Sequence, residues 1–226
     1  INKGVIINCN NYATVSSGDY WMWCGGIAGE STNGIYNCKN AGLIFGGNGL
    51  GGIVGIAGGR IVNCCNIGNV TAAETSAGIL VRPTGCVTIQ NSFNVGMVVG
   101  GRYCGGVVSY LSSDGDQELT LNYCYNLVNI PKGGLLCTAG GRTVIISNAY
   151  NVDNTFFGNG LPSSATVTNT GLINADGTFP NGTPYLDLLT ALNAWVNANK
   201  QTYLDTYNVE LKNWVMGDNG YPTFAD

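Results

Sequence analysis

Gly51-Gly52-Ile53-Val54-Gly55, followed by Gly59-Arg60-Ile61-Val62-Asn63-Cys64-Cys65-Asn66-Ile67-Gly68-Asn69-Val70, is the stretch on which the reading of this chain turns. Both of its phrases recur. The apolar-glycine phrase returns as Gly25-Gly26-Ile27-Ala28-Gly29, Ala77-Gly78-Ile79-Leu80-Val81, Gly105-Gly106-Val107-Val108-Ser109 and Gly133-Gly134-Leu135-Leu136-Cys137, with starts 26 to 28 residues apart. The asparagine phrase returns with its last Asn at 11, 40, 66, 94, 126 and 151. A weaker apolar run follows each Asn phrase, as in Gly42-Leu43-Ile44 and Gly96-Met97-Val98. Runs this short, bounded by Gly, Asn or Ser, fit strands and not helices. One repeat cannot bury its own inner face, so equivalent strands must stack coil on coil, about 4.8 Å apart. The expected fold is an all-β solenoid: a right-handed parallel β-helix of about six three-stranded coils over residues 1–160, its hand taken from fold statistics.

The columns of such a stack have structural readings. Asn tolerates left-handed backbone at a corner, and its amide can bond the equivalent Asn one coil away. Cys9, Cys38, Cys64 and Cys124 share a column with Ser92 and Ala149. That column accepts any small side chain, so it is expected to point inward as packing and to require no sulfur chemistry. Cys65, the next residue, is expected to face outward as the most exposed thiol.

Composition narrows the function. The 226 residues include 35 Gly and no His, only 10% are charged, and nine Lys and Arg against 13 Asp and Glu leave a net charge of −4. Without histidine there is no Ser-His or Cys-His nucleophile pair, no imidazole base and no His-ligated zinc. The acidic balance carries no basic footprint for nucleic acid. No C-x-x-C pair occurs among the nine cysteines, which argues against a four-Cys zinc site and a disulfide framework. No apolar run is long enough for a membrane span, and Ile1-Asn2-Lys3-Gly4 carries no signal-peptide pattern, so the chain reads as an excerpt whose targeting segment lies elsewhere.

Two departures from the repeat are candidate sites. Tyr110 to Thr120 lengthens one coil and alternates Asp114, Asp116 and Glu118, as oxygen ligands of Ca2+ can. The full calcium-loop pattern is missing, so a solvated acidic loop is the ordinary reading, and no cofactor beyond that Ca2+ is indicated. Paired carboxylates for sugar hydrolysis would need a partner across a groove. The repeat offers none: Asp19, Glu30, Glu74, Arg60, Arg82 and Arg102 are read as sharing no column. The other departure is Tyr20-Trp21-Met22-Trp23, where the next coil has Gly46-Gly47-Asn48-Gly49. Trp21 and Trp23 share one face of a strand, and Tyr103 holds the Trp23 position of a later coil, so the three are candidates for ligand binding. Packing against an N-terminal neighbour is the plainer account.

Residues 161–226 read as a capping region. After a loop, Thr183 as N-cap and Pro184 open a helix over about 184–199, with Tyr185, Leu188, Leu189, Leu192, Trp195 and Val196 on one face. A hairpin follows over about 211–224. Helix and hairpin are expected to lie across the open end of the last coil, covering strand edges that would otherwise template aggregation.

The stretch Gly51 to Val70 resembles the GLUG repeat, and the other coils match it less completely over residues 4 to 158. With the helix, Trp214 and Gly220-Tyr221-Pro222, the chain is similar to solenoid modules of large surface proteins of Bacteroides-type bacteria. The resemblance implies an extracellular, cell-surface location in multidomain adhesin-like proteins, joined to upstream domains, and it supplies no catalytic residues. The expected function is a non-catalytic scaffold or adhesion module that binds or displays for a host or microbial surface glycan or protein, with no membrane insertion by this segment. The alternative is a carbohydrate-active enzyme, a polysaccharide lyase or hydrolase, because parallel β-helices commonly host that chemistry. An ice-binding solenoid would want regular outward Thr rows, and none is seen.

Overall fold

The structure is a computed structural model. It describes every residue except 19–21, 111–116, 132, 139–141, 154–157, 159–164, 181–184 and 226, and for Tyr110 and Thr138 the backbone alone. The chain is a parallel β-solenoid of about five turns with one C-terminal helix and a terminal hairpin. Ile6, Ile35, Ile61, Ile89, Leu121, Ile146 and Val167 pair in succession from coil to coil. A second column runs through Ala28, Val54, Leu80, Val108 and Leu136. Together they form one continuous core whose middle members are at most 1% exposed. Each fully buried aliphatic side chain stabilises the stack by about 1.5–3 kcal/mol relative to exposure.

The turn count falls one short of the six expected because one face ends early. Among the described residues that face holds four strands, Val15–Ser17, Ile44–Gly46, Val70–Ala72 and Val98–Val99. The next coil brings Pro131 to this part of the chain, and proline has no N–H to give to a ladder.

The asparagine corner is the most regular feature. Asn8, Asn37, Asn63, Asn91, Tyr123, Asn148 and Asn169 all adopt left-handed backbone, with φ between 48° and 58°. Outside this corner the side chains stack. Nδ2 of Asn37 donates to Oδ1 of Asn8 (3.0 Å), Asn63 to Asn37 (2.8 Å) and Asn91 to Asn63 (2.8 Å). Tyr123 interrupts the row, and Oδ1 of Asn91 accordingly has no partner among the described residues. Just inside the corner lies the cysteine column, which is buried at Cys38, Cys64 and Cys124 as expected. Each thiol donates to a main-chain carbonyl, Cys38 Sγ to Tyr36 O (3.1 Å) and Cys64 Sγ to Val62 O (3.3 Å), and Ser92 Oγ does the same to Gln90 O (2.9 Å). Ser fits the column because it makes the same bond.

A second ladder runs the other way. Nδ2 of Asn11 donates to Oδ1 of Asn40 (2.7 Å), Asn40 to Asn66 (2.8 Å), Asn66 to Asn94 (2.8 Å), Asn94 to Asn126 (3.0 Å) and Asn126 to Asn151 (2.6 Å). Its interior members are fully buried. This ladder explains why the two sequence phrases travel together. A Cβ built on Gly26, Gly52, Gly78 or Gly106 would lie 2.2 to 2.4 Å from the side chain of Asn40, Asn66, Asn94 or Asn126 respectively. The glycine phrase leaves the space that the asparagine amide occupies.

The C-terminal region departs from expectation in extent and placement. The helix spans Leu188–Tyr207, begins at Asp187, whose carboxylate accepts from Thr190 N (2.8 Å), and ends at left-handed Asn208. Thr183 and Pro184 lie outside the described residues. The helix and hairpin lie along the flank of the solenoid, over the outside of the asparagine corner, and not across its end. Main-chain oxygens of Glu210 and Lys212 accept from Asn37 and Asn63 Nδ2, Trp214 Nε1 donates to Asn63 Oδ1 (2.6 Å), and Tyr203 donates to Gln90 Oε1 (2.6 Å). The driving force is the outward column Cys65, Phe93, Tyr125 and Tyr150, an apolar stripe that water would otherwise wet. Trp214 seals it against Phe93 (ring centroids 5.3 Å apart), and Phe224 closes on Trp214 at 4.4 Å. Cys65 is therefore fully buried, contrary to its expected exposure; the exposed thiols are Cys9 and Cys86.

Two predictions follow from this packing. Asn66→Ala removes an interior rung and strands its neighbours, and we expect a loss of about 2–4 kcal/mol in urea unfolding, whereas Asn11→Ala at the outer rung costs under about 1 kcal/mol; equal costs at the two positions would contradict a cooperative ladder. Burial pushes Cys65, Cys124 and Tyr203 up to about 12. Unfolded, these groups ionise near 8.5 for Cys and 10 for Tyr. Because the folded state holds the protons more tightly, stability is full below about pH 8.5 and falls as pH rises toward 12. Under reducing conditions the urea midpoint is expected to stay level from pH 6 to 8 and to drop steadily by pH 11.

Candidate functional site

The strand register decides which of the candidate residues meet. Cys24 pairs with Leu50, Leu50 with Ser76, and Thr75 with Tyr103. Trp23, Gly49, Thr75 and Tyr103 thus form one column, as the sequence indicates, with Trp23 and Tyr103 three rungs apart. Trp21 lies outside the described residues. The Trp23 indole is half-buried and lies down upon Gly49, where a Cβ would approach Trp23 Cε3 to 2.3 Å, and where φ of +74° also favours glycine. The Arg82 guanidinium stands over the indole, 5.9 Å from its centroid. At the far end of the column Arg102 stands 4.9 Å over the ring of half-buried Tyr103.

Charged groups also line up on these rungs, which corrects the reading that they share no column. Glu30 and Arg82 both pair with Ile56, and Glu74 precedes Thr75 as Arg102 precedes Tyr103 in paired strands. The glycine phrase already carries this alignment, since Glu30 and Arg82 each lie five residues after the start of theirs and Glu74 and Arg102 each lie three before it. Arg142 supports the edge beside Arg82. Its buried guanidinium donates to Gly85 O (2.8 Å), Pro83 O (3.0 Å) and Gln117 Oε1 (3.0 Å), clamping the turn that follows Arg82. The repeat pattern does not signal this role, because the guanidinium reaches back two turns to main-chain oxygens of Pro83 and Gly85.

The acidic candidates behave differently. Asp114 and Asp116 lie outside the described residues. Glu118 opens the strand Glu118–Asn126 and accepts a hydrogen bond from Thr120 Oγ1 (2.8 Å). Among the described residues no group of three or more His, Cys, Asp or Glu is placed to hold a metal ion, and no helix is long and apolar enough to cross a membrane.

The arrangement sets two cation–π pairs, Arg82 over Trp23 and Arg102 over Tyr103, along one edge of the stack, where guanidinium donors and ring edges can meet a polar ligand. A separate concavity lies between the first coils and the terminal hairpin, lined by Tyr12, Lys39 and Lys212 among others. These come from segments more than 170 residues apart, so no local pattern announces them. Comparison with protein-family models, curated proteins and solved structures finds no match to this chain.

The packing of Trp23 on Gly49 is testable by a double-mutant cycle. Gly49→Ala is expected to cost about 1–3 kcal/mol in the native background and only the left-handed backbone cost of about 1 kcal/mol in a Trp23→Ala background. Equal costs in both backgrounds would place the indole elsewhere.

Proposed function

We propose that this chain is a non-catalytic scaffold and adhesion module of GLUG-repeat type, working outside the cell as part of a larger bacterial surface protein and binding a surface glycan or protein. The observation that carries this reading is the Trp23 to Tyr103 column, with Arg82 and Arg102 over its two rings, set on a stack of hydrogen-bonded coils. The low charged fraction, 10% of residues, suits such a module. Its ligand meets side chains already held by these ring–guanidinium contacts and loses little on ordering them.

The coincidence of Glu30 with Arg82 and of Glu74 with Arg102 favours one alternative, a polysaccharide lyase or hydrolase, since stacked coils then present carboxylate and guanidinium groups together. A glycan array probed with the purified chain and with Trp23→Ala separates the two. The adhesion reading expects retention on a restricted set of glycans free of uronic acid, lost in the variant, with every glycan recovered intact. Shortened or unsaturated products would establish the enzyme, and retention on those uncharged glycans indifferent to Trp23→Ala would remove this column as the site.

A further inference from the structure

The cover formed by the C-terminal segment stops before the first coil. Asn10 pairs with Lys39 and Lys39 with Cys65, in the same outward column that continues through Phe93 and Tyr125. From Cys65 onward this column is sealed by Trp214 and its neighbours. At Asn10 and Lys39 the hairpin overhangs without closing, leaving a cleft of about 460 Å3. Small-ligand sites commonly have volumes of about 300–1,000 Å3.

The chemistry of the cleft is specific. Lys39 Nζ donates to Thr223 Oγ1 (2.9 Å) and stands 5.7 Å from the centroid of the Tyr12 ring, so the ammonium is held in place by a hydroxyl and an aromatic face. Lys212 lines the same cleft, and both lysines are half-buried. Among the described residues neither ammonium has a carboxylate within ion-pair distance, although Asp218 is also in the lining. Two half-buried lysines in one lining, neither of them ion-paired among the described residues, favour an incoming anion even with Asp218 nearby, in a protein whose net charge is −4. The remaining features restrict what that anion is attached to. Tyr12 is 68% exposed, an aromatic platform of the kind that packs on the C–H face of a pyranose. Asn10, Asn219 and Thr223 supply amide and hydroxyl groups that match sugar hydroxyls.

We propose that this cleft is a binding site for a carboxylate-bearing saccharide, with Lys39 and Lys212 receiving the carboxylate of a uronic acid and Tyr12 stacking on its ring. The site is separate from the Trp23 column and does not depend on it. The test is titration calorimetry of the whole chain with a hyaluronan tetrasaccharide, with neutral N-acetylchitotetraose and with tetraglutamate. The expected result is binding of the uronic-acid saccharide alone, weakening as NaCl is raised. Lys39→Gln and Lys212→Gln should each weaken it at least about tenfold, and Tyr12→Ala should weaken it too. Trp23→Ala should leave it unchanged, which keeps failure of this site distinct from failure of the adhesion reading. Lys212→Gln and Tyr12→Ala change groups at the rim of the packed cover, so they keep the test decisive if Lys39→Gln fails to fold. Absence of binding, equal binding of the neutral saccharide or of tetraglutamate, or full affinity in the variants overturns the proposal.

Discussion

A buried asparagine must find partners for two amide hydrogens and a carbonyl oxygen, and in this fold they come from the coils on either side and from its own turn. Asn40, Asn66, Asn94 and Asn126 are fully buried, and each gives one hydrogen to the Asn of the following coil and the other to the main-chain carbonyl two residues on. No coil can satisfy this requirement alone. An unpaired buried amide costs more than a made bond returns, so the ladder penalises a slipped register more strongly than it rewards the correct one. The glycine column opposite is tied to the same constraint, because a methyl group there would displace the amide.

The two ladders have opposite polarity. At the left-handed corner each amide donates back toward the preceding coil, whereas in the interior row each donates forward. Their amide dipoles oppose one another, so a long stack accumulates little net dipole from them. The corner row is also where the C-terminal segment attaches, since Asn37 and Asn63 point their remaining donors outward to Glu210 and Lys212. The same residues therefore hold coil to coil and solenoid to cover.

That attachment shapes both candidate surfaces. The cover removes the aromatic column of Phe93, Tyr125 and Tyr150 from solvent, and burial of Tyr125 pushes its phenol well above the ordinary range. Where the cover ends, the overhang leaves a cleft with two cations. On the rungs it does not touch, the arginines over Trp23 and Tyr103 remain the principal chemical features.

The sequence by itself determined the solenoid, its columns and its register, because periodic Gly and Asn report a constraint repeated in every coil, and repetition is visible in one dimension. It placed Trp23 and Tyr103 in one column and Cys38, Cys64 and Cys124 inside, though Cys9 of the same column is exposed. It did not show that Cys65 would be covered or that the helix would lie on the flank. Those depend on the apolar stripe of Cys65, Phe93 and Tyr125 meeting residues from Leu188 to Phe224, a single non-repeating contact between segments distant in the chain. Side-chain burial in that contact is set by which surface fits over the stripe, and only the tertiary structure decides the fit.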